Sequence, residues 1–538
     1  MLSAQKHQEW LVQISDSSGL NEVRGVYYDR TDNRRNVYYV AQQGLQALKE
    51  KDIAFKVLQH PNQIIDKNAG LYQKNNLSFP LVTYPTYPQY DSLMAAYAQN
   101  YPSICALDTF AVLPSGKNLL MLIIDDQPDM EEKEAEFFYT STIHGDETGG
   151  YIMLLNLIDT LLKNYGKVPR ITQLVDDIKI CINPLANPDG LYAGNDFSVA
   201  GATRTNANGV DLNRNFPDPE DGQHPDGFTW QPETKAFMDL ADSMNFTMSS
   251  NLHSGAELVN YPWDTWDHVH PNEDWWVEVS KEYADTAQTY SSTGYFSSFQ
   301  FPEGYTNGYA WYSISGGRQD YMNYFHSCRE MTLEIAGQKV LPVSELLPLW
   351  NANKRSLLNY MARAKYGVSG TVTDSLTGDP LKAKVYVNNF DADSSHVYSR
   401  VSNGYYHRYF SAGNYELIFS SPGYETKKMP VSIAPFQNQN VDVKLAPKDI
   451  SIEKQQENPF SIFPNPASDK FYINFDKNAF IGNLQIRIYN SDGELIIADK
   501  RSSKQREIQV LTTGLPSGVY LVQILDYHSS YIQKLIIE

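Results

Sequence analysis

The sequence predicts an α/β protein, a sheet with helices on both faces, followed by two small β-sandwich units. Three observations carry this reading. Between residues 76 and 366, strand-like runs alternate with segments of helical period. At Gly367 the pattern changes to short strand runs separated by turns. From Asn458 a second series of such runs fills the chain to its end. The 538 residues are too many for one ordinary core and enough for several domains.

Residues 1–75 combine a strand-like run at 37–40 with a helical stretch near 43–51, and end in the polar, turn-rich 62–79. They read as a separate N-terminal accessory unit. Within 76–366, residues 136–143 form a strand on the strength of Phe137, Phe138 and Tyr139. Behind it Ile152, Leu155, Ile158 and Leu162 fall on one helical face that ends near Gly166. Residues 178–182, 246–252 and 331–335 read as further strands. Residues 344–364 read as a closing helix with Ser344 as its N-cap. Residues 367–446, broken by turns at 375–379, 402–404 and 421–423, suggest one small β-sandwich. Residues 447–457 are polar and charged, as in a linker. Residues 458–538 carry strand runs at 484–489, 519–525 and 531–537, a second small β unit.

Apolar residues make up 42% and charged residues 20%, a globular balance. No apolar run reaches the length of about 18 residues that a membrane span needs. The formal net charge of −19 disfavours nucleic acid, which requires a basic face. Residues 1–20 lack the apolar stretch of a signal peptide, so either the chain stays inside the cell or a signal has been removed ahead of residue 1. The three cysteines, Cys105, Cys181 and Cys328, cannot all pair within one chain, so disulfides are not the stabilising device.

Four short segments carry chemistry. His144-Gly145-Asp146-Glu147 lies between a predicted strand and a helix, where open α/β sheets place their sites. His and Glu three apart on a tight loop can face one ion, and zinc accepts such nitrogen and oxygen ligands, although so short a pattern also arises by chance. In Asn251-Leu252-His253-Ser254-Gly255, His253 closes a strand and offers a third ligand, leaving one position open as in catalytic zinc sites. The plainer alternative is a core histidine bonded to backbone. Asp211-Leu212-Asn213-Arg214-Asn215-Phe216-Pro217 sets an Asn-Arg pair on a loop, suited to two-point binding of a carboxylate or to a structural ion pair. In Met331-Thr332-Leu333-Glu334-Ile335-Ala336, Glu334 interrupts an apolar strand. Buried there, it needs a partner or a task such as general base; on an exposed strand face it needs neither.

Taken together and in this order, these residues resemble the zinc metallocarboxypeptidase family that includes the digestive A and B enzymes, over residues 84–364. The resemblance implies a mixed twisted sheet and one Zn2+ per catalytic domain, held by His144, Glu147 and His253. It implies that Glu334 activates water and that Arg204, in Arg204-Thr205-Asn206-Ala207-Asn208-Gly209-Val210-Asp211, polarises the scissile carbonyl. Asn213 and Arg214 match the clamp for the substrate's terminal carboxylate. Tyr312, in Trp311-Tyr312-Ser313-Ile314-Ser315-Gly316-Gly317, matches the tyrosine that closes over it.

Gly316-Gly317-Arg318-Gln319-Asp320 and Cys328-Arg329-Glu330-Met331-Thr332-Leu333-Glu334 are similar to motifs of the N/E, or regulatory, branch. That branch carries a transthyretin-like domain where residues 367–446 stand, and prefers C-terminal Lys or Arg. Asp264, in Asn260-Tyr261-Pro262-Trp263-Asp264, is then the acidic residue of the pocket, with Gln319 beside it. Arg318 departs from the branch, which has an apolar residue at that position. A guanidinium reaching the pocket would neutralise Asp264; one pointing away would change nothing. Phe463-Pro464-Asn465-Pro466, Ile488-Tyr489-Asn490-Ser491-Asp492-Gly493 and Leu515-Pro516-Ser517-Gly518-Val519-Tyr520-Leu521 resemble the type IX secretion sorting domain. This second resemblance implies export across an outer membrane by the type IX machinery, cleavage ahead of Asn458 and a signal already trimmed, with residues 1–75 as a propeptide-like or accessory domain. The expected partners are peptide or protein C-termini. The alternatives are a zinc amidohydrolase of the aspartoacylase type, or a non-catalytic surface-binding protein on a peptidase-like fold.

Overall fold

The computed structural model describes residues 8–20, 23–32, 35–63, 77–292, 294–448, 459–475, 483–491, 493–502, 507–525 and 530–538. The turn-rich stretch expected at 62–79 lies outside these over 64–76, as does most of the linker expected at 447–457 and the cleavage point expected at Asn458. The chain forms two compact units, Met1–Pro447 and Lys448–Glu538.

The first unit begins with strands β1 (Glu9–Ile14), β2 (Val26–Asp32), β3 (Arg35–Ala41), helix α1 (Gln42–Glu50) and β4 (Phe55–Leu58), an antiparallel sheet of order β2-β3-β1-β4. Side chains alternate across a strand, so this sheet has two different faces. Val12, Ile14, Tyr38 and Val40 pack on Leu45 and Leu48 of α1. Leu11, Tyr27, Val37 and Tyr39 form a separate cluster on the other face.

The central region contains α2 (Tyr87–Asn100), β5 (Cys105–Val112), β6 (Asn118–Ile124), β7 (Ala135–Ser141), α3 (Gly149–Asn164), α4 (Pro169–Asp177), β8 (Ile178–Asn183), α5 (Pro188–Leu191), α6 (Pro232–Ser243), β9 (Phe246–His253), β10 (Glu257–Tyr261), α7 (Glu273–Thr289), β11 (Tyr305–Asn307), α8 (Gly308–Trp311), α9 (Arg318–His326), β12 (Arg329–Ile335) and α10 (Val343–Arg363). Its eight strands form one mixed sheet of order β11-β10-β12-β9-β7-β8-β6-β5. The central strands β8, β7, β9 and β12 are mutually parallel; β6 and β10 run against them, with β5 antiparallel to β6 and β11 parallel to β10. Strand alternation divides the core between two layers. Phe137 and Tyr139 pack with residues of α2, α3, α4, α7 and α10, while Phe138 packs with Phe237 of α6 and Tyr321 of α9. Helices thus cover both faces, as expected.

The closing helix α10 begins at Val343 with Pro342 in the cap position and no side-chain cap bond. This corrects the assignment of Ser344 as N-cap: Pro342 has the fixed φ and extended ψ of a cap, so the helix starts ahead of the serine. All three cysteines are buried and unpaired.

Beyond Gly367 two four-stranded sheets enclose Val368, Val372, Val385, Leu417, Phe419 and Val443. The fully buried Arg408 binds Asp391 at two points, 2.8 and 3.1 Å. Arg400 donates to the carbonyls of Glu132 (3.0 Å) and Glu134 (2.9 Å), tying this β domain to the loop ahead of β7. In the second unit a three-stranded and a four-stranded sheet close around Phe471, Ile473, Ile486, Ile488, Val522 and Leu535.

Candidate metal centre and substrate cleft

The parallel strands β7, β9 and β12 end at one edge of the sheet. Ser141 stands opposite Leu252, and Glu334 opposite His253. His144 follows the end of β7, so the loop residue, the last residue of β9 and Glu334 meet at the carboxyl edge, where parallel strands leave a crevice. Gly145 is required there: a Cβ would stand 2.2 Å from the carbonyl carbon of Gly190 in α5.

His144 Nδ1 and His253 Nδ1 are 3.2 Å apart. Glu147 Oε1 is 3.0 Å from the first and Oε2 2.8 Å from the second. The outer nitrogens fix the tautomers. His144 Nε2 bonds Asp211 Oδ1 at 2.9 Å, as the donor to a carboxylate. His253 Nε2 lies 2.9 Å from the Asn251 amide, whose oxygen is buried without a partner. With that oxygen turned to the ring N–H, both Nδ1 atoms present lone pairs to one point, beside a carboxylate. Burial holds the His253 imidazole down at about 4, so it is neutral at pH 7 as a ligand must be. Burial acts to raise the Glu147 carboxyl, but the groups around it, Lys339 first, outweigh it and hold it well below its usual range. Three acceptors converging without a donor among them call for a cation, and two nitrogens with one oxygen fit Zn2+.

Around this cluster the other expected residues take their places. Asp211 joins three of them: it accepts from His144 Nε2, from Arg204 Nε at 2.9 Å and from the Asn213 N–H at 2.9 Å, capping the short turn Leu212–Arg214. Arg204 Nη1 is 3.6 Å from Glu147 Oε1, and Lys339 Nζ is 2.9 Å from the same oxygen. Glu334 is 8% exposed, and its Oε2 has no hydrogen-bond partner. Burial and the neighbouring Glu147 push it up to about 8, against Lys339 and Arg204. A cavity of about 910 Å3 is lined by His144, Glu147, His253, Arg204, Glu334, Asn213, Arg214, Tyr312 and Asp264 together.

Asp264 is buried and accepts a bond from Asn260 Nδ2 at 3.0 Å. Its carboxylate faces Gly308, where a Cβ would stand 1.8 Å from Oδ1, so only glycine leaves room for it. Asp320 holds the turn in place by accepting the N–H of Asp264 and of Thr265, the latter at 2.8 Å. Gln319 does not reach Asp264 directly. Its oxygen accepts the Thr332 N–H at 2.8 Å and its amide donates to Asn260 Oδ1 at 3.4 Å, so it braces the residue that binds Asp264. Arg318 points away from the pocket. Its guanidinium binds Glu330 at 2.9 Å and lies over the rings of Phe138 and Phe237, on the far layer of the sheet, while its backbone N–H donates to Asn213 Oδ1.

Sequence reasoning left Asp211, Asn251, Lys339, Asn260 and Asp320 without roles. Asn251 had a signal, since strand period places it on the same side as His253. Lys339, a lone lysine between Gln338 and Val340, had none.

Residues 90–356 match the family described as Zinc carboxypeptidase, 367–446 the Carboxypeptidase regulatory-like domain and 461–538 the Secretion system C-terminal sorting domain. The chain is 32% identical to human Carboxypeptidase D over 450 residues, which is 80% of this chain but 32% of that protein. It is 35% identical to mouse Carboxypeptidase M (62% of this chain, 77% of the relative) and 32% identical to the human Carboxypeptidase N catalytic chain (67% and 86%). Among solved structures, Carboxypeptidase A from Helicoverpa armigera aligns with a TM-score of 0.51 at 17% identity, covering 67% of this chain and 98% of that one, a likeness of fold.

Proposed function

The chain belongs to the zinc carboxypeptidase family, and from that premise we propose that it hydrolyses the last peptide bond of peptides and proteins, releasing C-terminal Lys or Arg. The observation that carries this reading is a single cleft in which a three-ligand metal cluster, an unpartnered buried carboxylate, two guanidinium groups and a buried acidic pocket face one another.

Zn2+ held by His144, Glu147 and His253 would lower the pKa of water and polarise a carbonyl. Glu334 takes the proton of the attacking water and returns it to the leaving amine. Arg204, oriented by Asp211, stabilises the oxyanion, a contribution of about 3 kcal/mol for a preorganised donor. Asn213 and Arg214 hold the free carboxylate, and Tyr312 covers it, which restricts cleavage to the last bond. Asp264, braced by Asn260 and Gln319, receives the basic side chain. A neutral side chain leaves that carboxylate unpaired.

The chain carries a secretion-system sorting domain and is addressed to the cell surface or the extracellular space. Recognition of residues 458–538 by the type IX machinery is part of this proposal. So is the division into an accessory unit (1–75), a catalytic domain (76–366), a transthyretin-like domain (367–446), a linker (447–457) and a sorting domain (458–538); the separate sheets support it.

The test is a pair of peptides ending in Arg, one with a free and one with an amidated C-terminus, given to the wild type and to Glu334→Gln. Release from the free peptide alone, with Glu334→Gln retaining zinc but losing about 100-fold or more in kcat, is expected. Equal cleavage of the amidated peptide points to an amidohydrolase, and near-normal turnover by the zinc-loaded variant removes Glu334 from the mechanism.

A further inference from the structure

The N-terminal unit reaches into the cleft. Tyr28, Asp29, Arg30 and Pro61 line it together with the metal-cluster residues. We infer that this unit is a resident wall of the peptide cleft, and that Tyr28 forms the subsite for the residue preceding the scissile bond, favouring a large apolar or aromatic side chain. The inference rests on the carboxypeptidase reading and adds to it a substrate preference upstream of the cut.

The anchoring is buried and specific. Glu9 accepts the Thr205 N–H (3.0 Å) and hydroxyl (2.7 Å) on one oxygen and the Arg204 N–H (2.8 Å) on the other, with His60 Nε2 at 3.2 Å. The unit therefore holds, by its backbone, the loop that carries Arg204. The Tyr27 hydroxyl donates to the Gly209 carbonyl at 3.1 Å and Asn62 Nδ2 to that of Ala202 at 2.7 Å. Tyr39, on the same sheet face, lies beneath Lys339 Nζ at 5.0 Å and the Arg204 guanidinium at 5.6 Å. These are bonds of a fitted interface, and the cleft remains open beside them at about 910 Å3.

The edge of β2 gives the wall its chemistry. Asp29 pairs with Lys339 at 3.2 Å, and Lys339 in turn touches Glu147. The Tyr28 ring stands 5.9 Å from that of Tyr312, edge to face. Residues 28 and 29 thus run from the tyrosine over the terminal residue to the metal ligands. A peptide with its last side chain at Asp264 must lay its preceding residue along this edge. What meets it there is an aromatic face, with Pro61, Val340, Pro342 and Val343 elsewhere on the cleft wall. Charge on the wall is already paired, Asp29 with Lys339 and with Arg30, so an apolar side chain has the surface that gains by being covered.

The full chain is tested with peptides ending in Phe-Arg, Leu-Arg, Gly-Arg and Glu-Arg, in the wild type and in Tyr28→Ala and Tyr28→Phe, with thermal melts to verify folding. The expected result is a kcat/KM for Phe-Arg about tenfold above Gly-Arg in the wild type and in Tyr28→Phe. In Tyr28→Ala the two converge to within about twofold, through KM of the Phe-Arg peptide and not through kcat. Calorimetric affinities of the same peptides for Glu334→Gln and for Glu334→Gln with Tyr28→Ala should show the same convergence. An unchanged Phe-to-Gly ratio in Tyr28→Ala overturns the subsite. A rise in kcat/KM for every peptide alike overturns the wall and makes the unit an obstruction. No release of a C-terminal residue from any peptide overturns the parent reading and this one with it.

Discussion

Burial lifts the Asp264 carboxyl to about 6, with Asp218 and Glu330 adding repulsion against the Asn260 bond and the Arg214 charge. A group poised there loses its charge as the pH falls through about 6, and with it the attraction for a basic side chain. The kcat/KM for an Arg-ending peptide, relative to a Leu-ending one, should therefore fall as pH drops through that value. The sign follows from a raised carboxyl pKa: charged above it, neutral below. Asp264→Asn should lower kcat/KM for the Arg-ending peptide by about 100-fold, as loss of a charged hydrogen bond does, and leave the Leu-ending peptide unaffected. A variant that keeps its preference for Arg would show that another group supplies it. At this scale His144, Glu147, His253, Glu334 and Asp264 were picked out by the joint pattern of motifs, since each alone left a plainer alternative, and the structure brings them to one cleft. The partners that orient them were not. Asp211, Lys339 and Asp320 act through contacts between distant segments, and nothing in their own neighbourhoods announces it.

Helix α9 decides a question that composition could not. Arg318 and Gln319 are adjacent in sequence, and successive residues of a helix point about 100° apart. Gln319 therefore turns toward Asn260 while Arg318 turns to the opposite layer, where Phe138, Phe237 and Glu330 receive it. The departure at this position leaves the pocket untouched. Arg318→Met should keep the Arg-over-Leu preference and cost about 3 kcal/mol of stability, because Glu330 is left buried without its cation. Adding Glu330→Gln should restore most of that loss, which a denaturation series on the single and double variants would read. A changed substrate preference in Arg318→Met would contradict the orientation. The long elements of the sheet and its helices were legible from periodicity, whereas the start of α10 was not. Ser344 has the chemistry of a cap, but Pro342 has the backbone geometry, and the geometry sets the boundary.

The whole molecule separates where its cores separate. Phe471, Ile486, Val522 and Leu535 form an apolar core of their own in residues 448–538, and the described residues that line the cleft all belong to the other unit. A chain ending at residue 447 should retain kcat/KM and melting temperature within error of the full chain; a large loss of either would show that the sorting unit supports the catalytic one. The order of domains was legible because each has its own pattern of strand lengths and turns. The docking of residues 8–63 on the cleft was not, because it is made by scattered pairs such as Glu9 with Thr205 and Asp29 with Lys339. The measurement that tests the central claim most directly is release of the last residue from matched peptides ending in Arg, Lys, Phe or Leu, followed by mass spectrometry with and without a zinc chelator. The expected result is chelator-sensitive release in which Arg and Lys leave far faster than Phe or Leu. Release that survives complete removal of the metal, or that favours Phe or Leu, would contradict it.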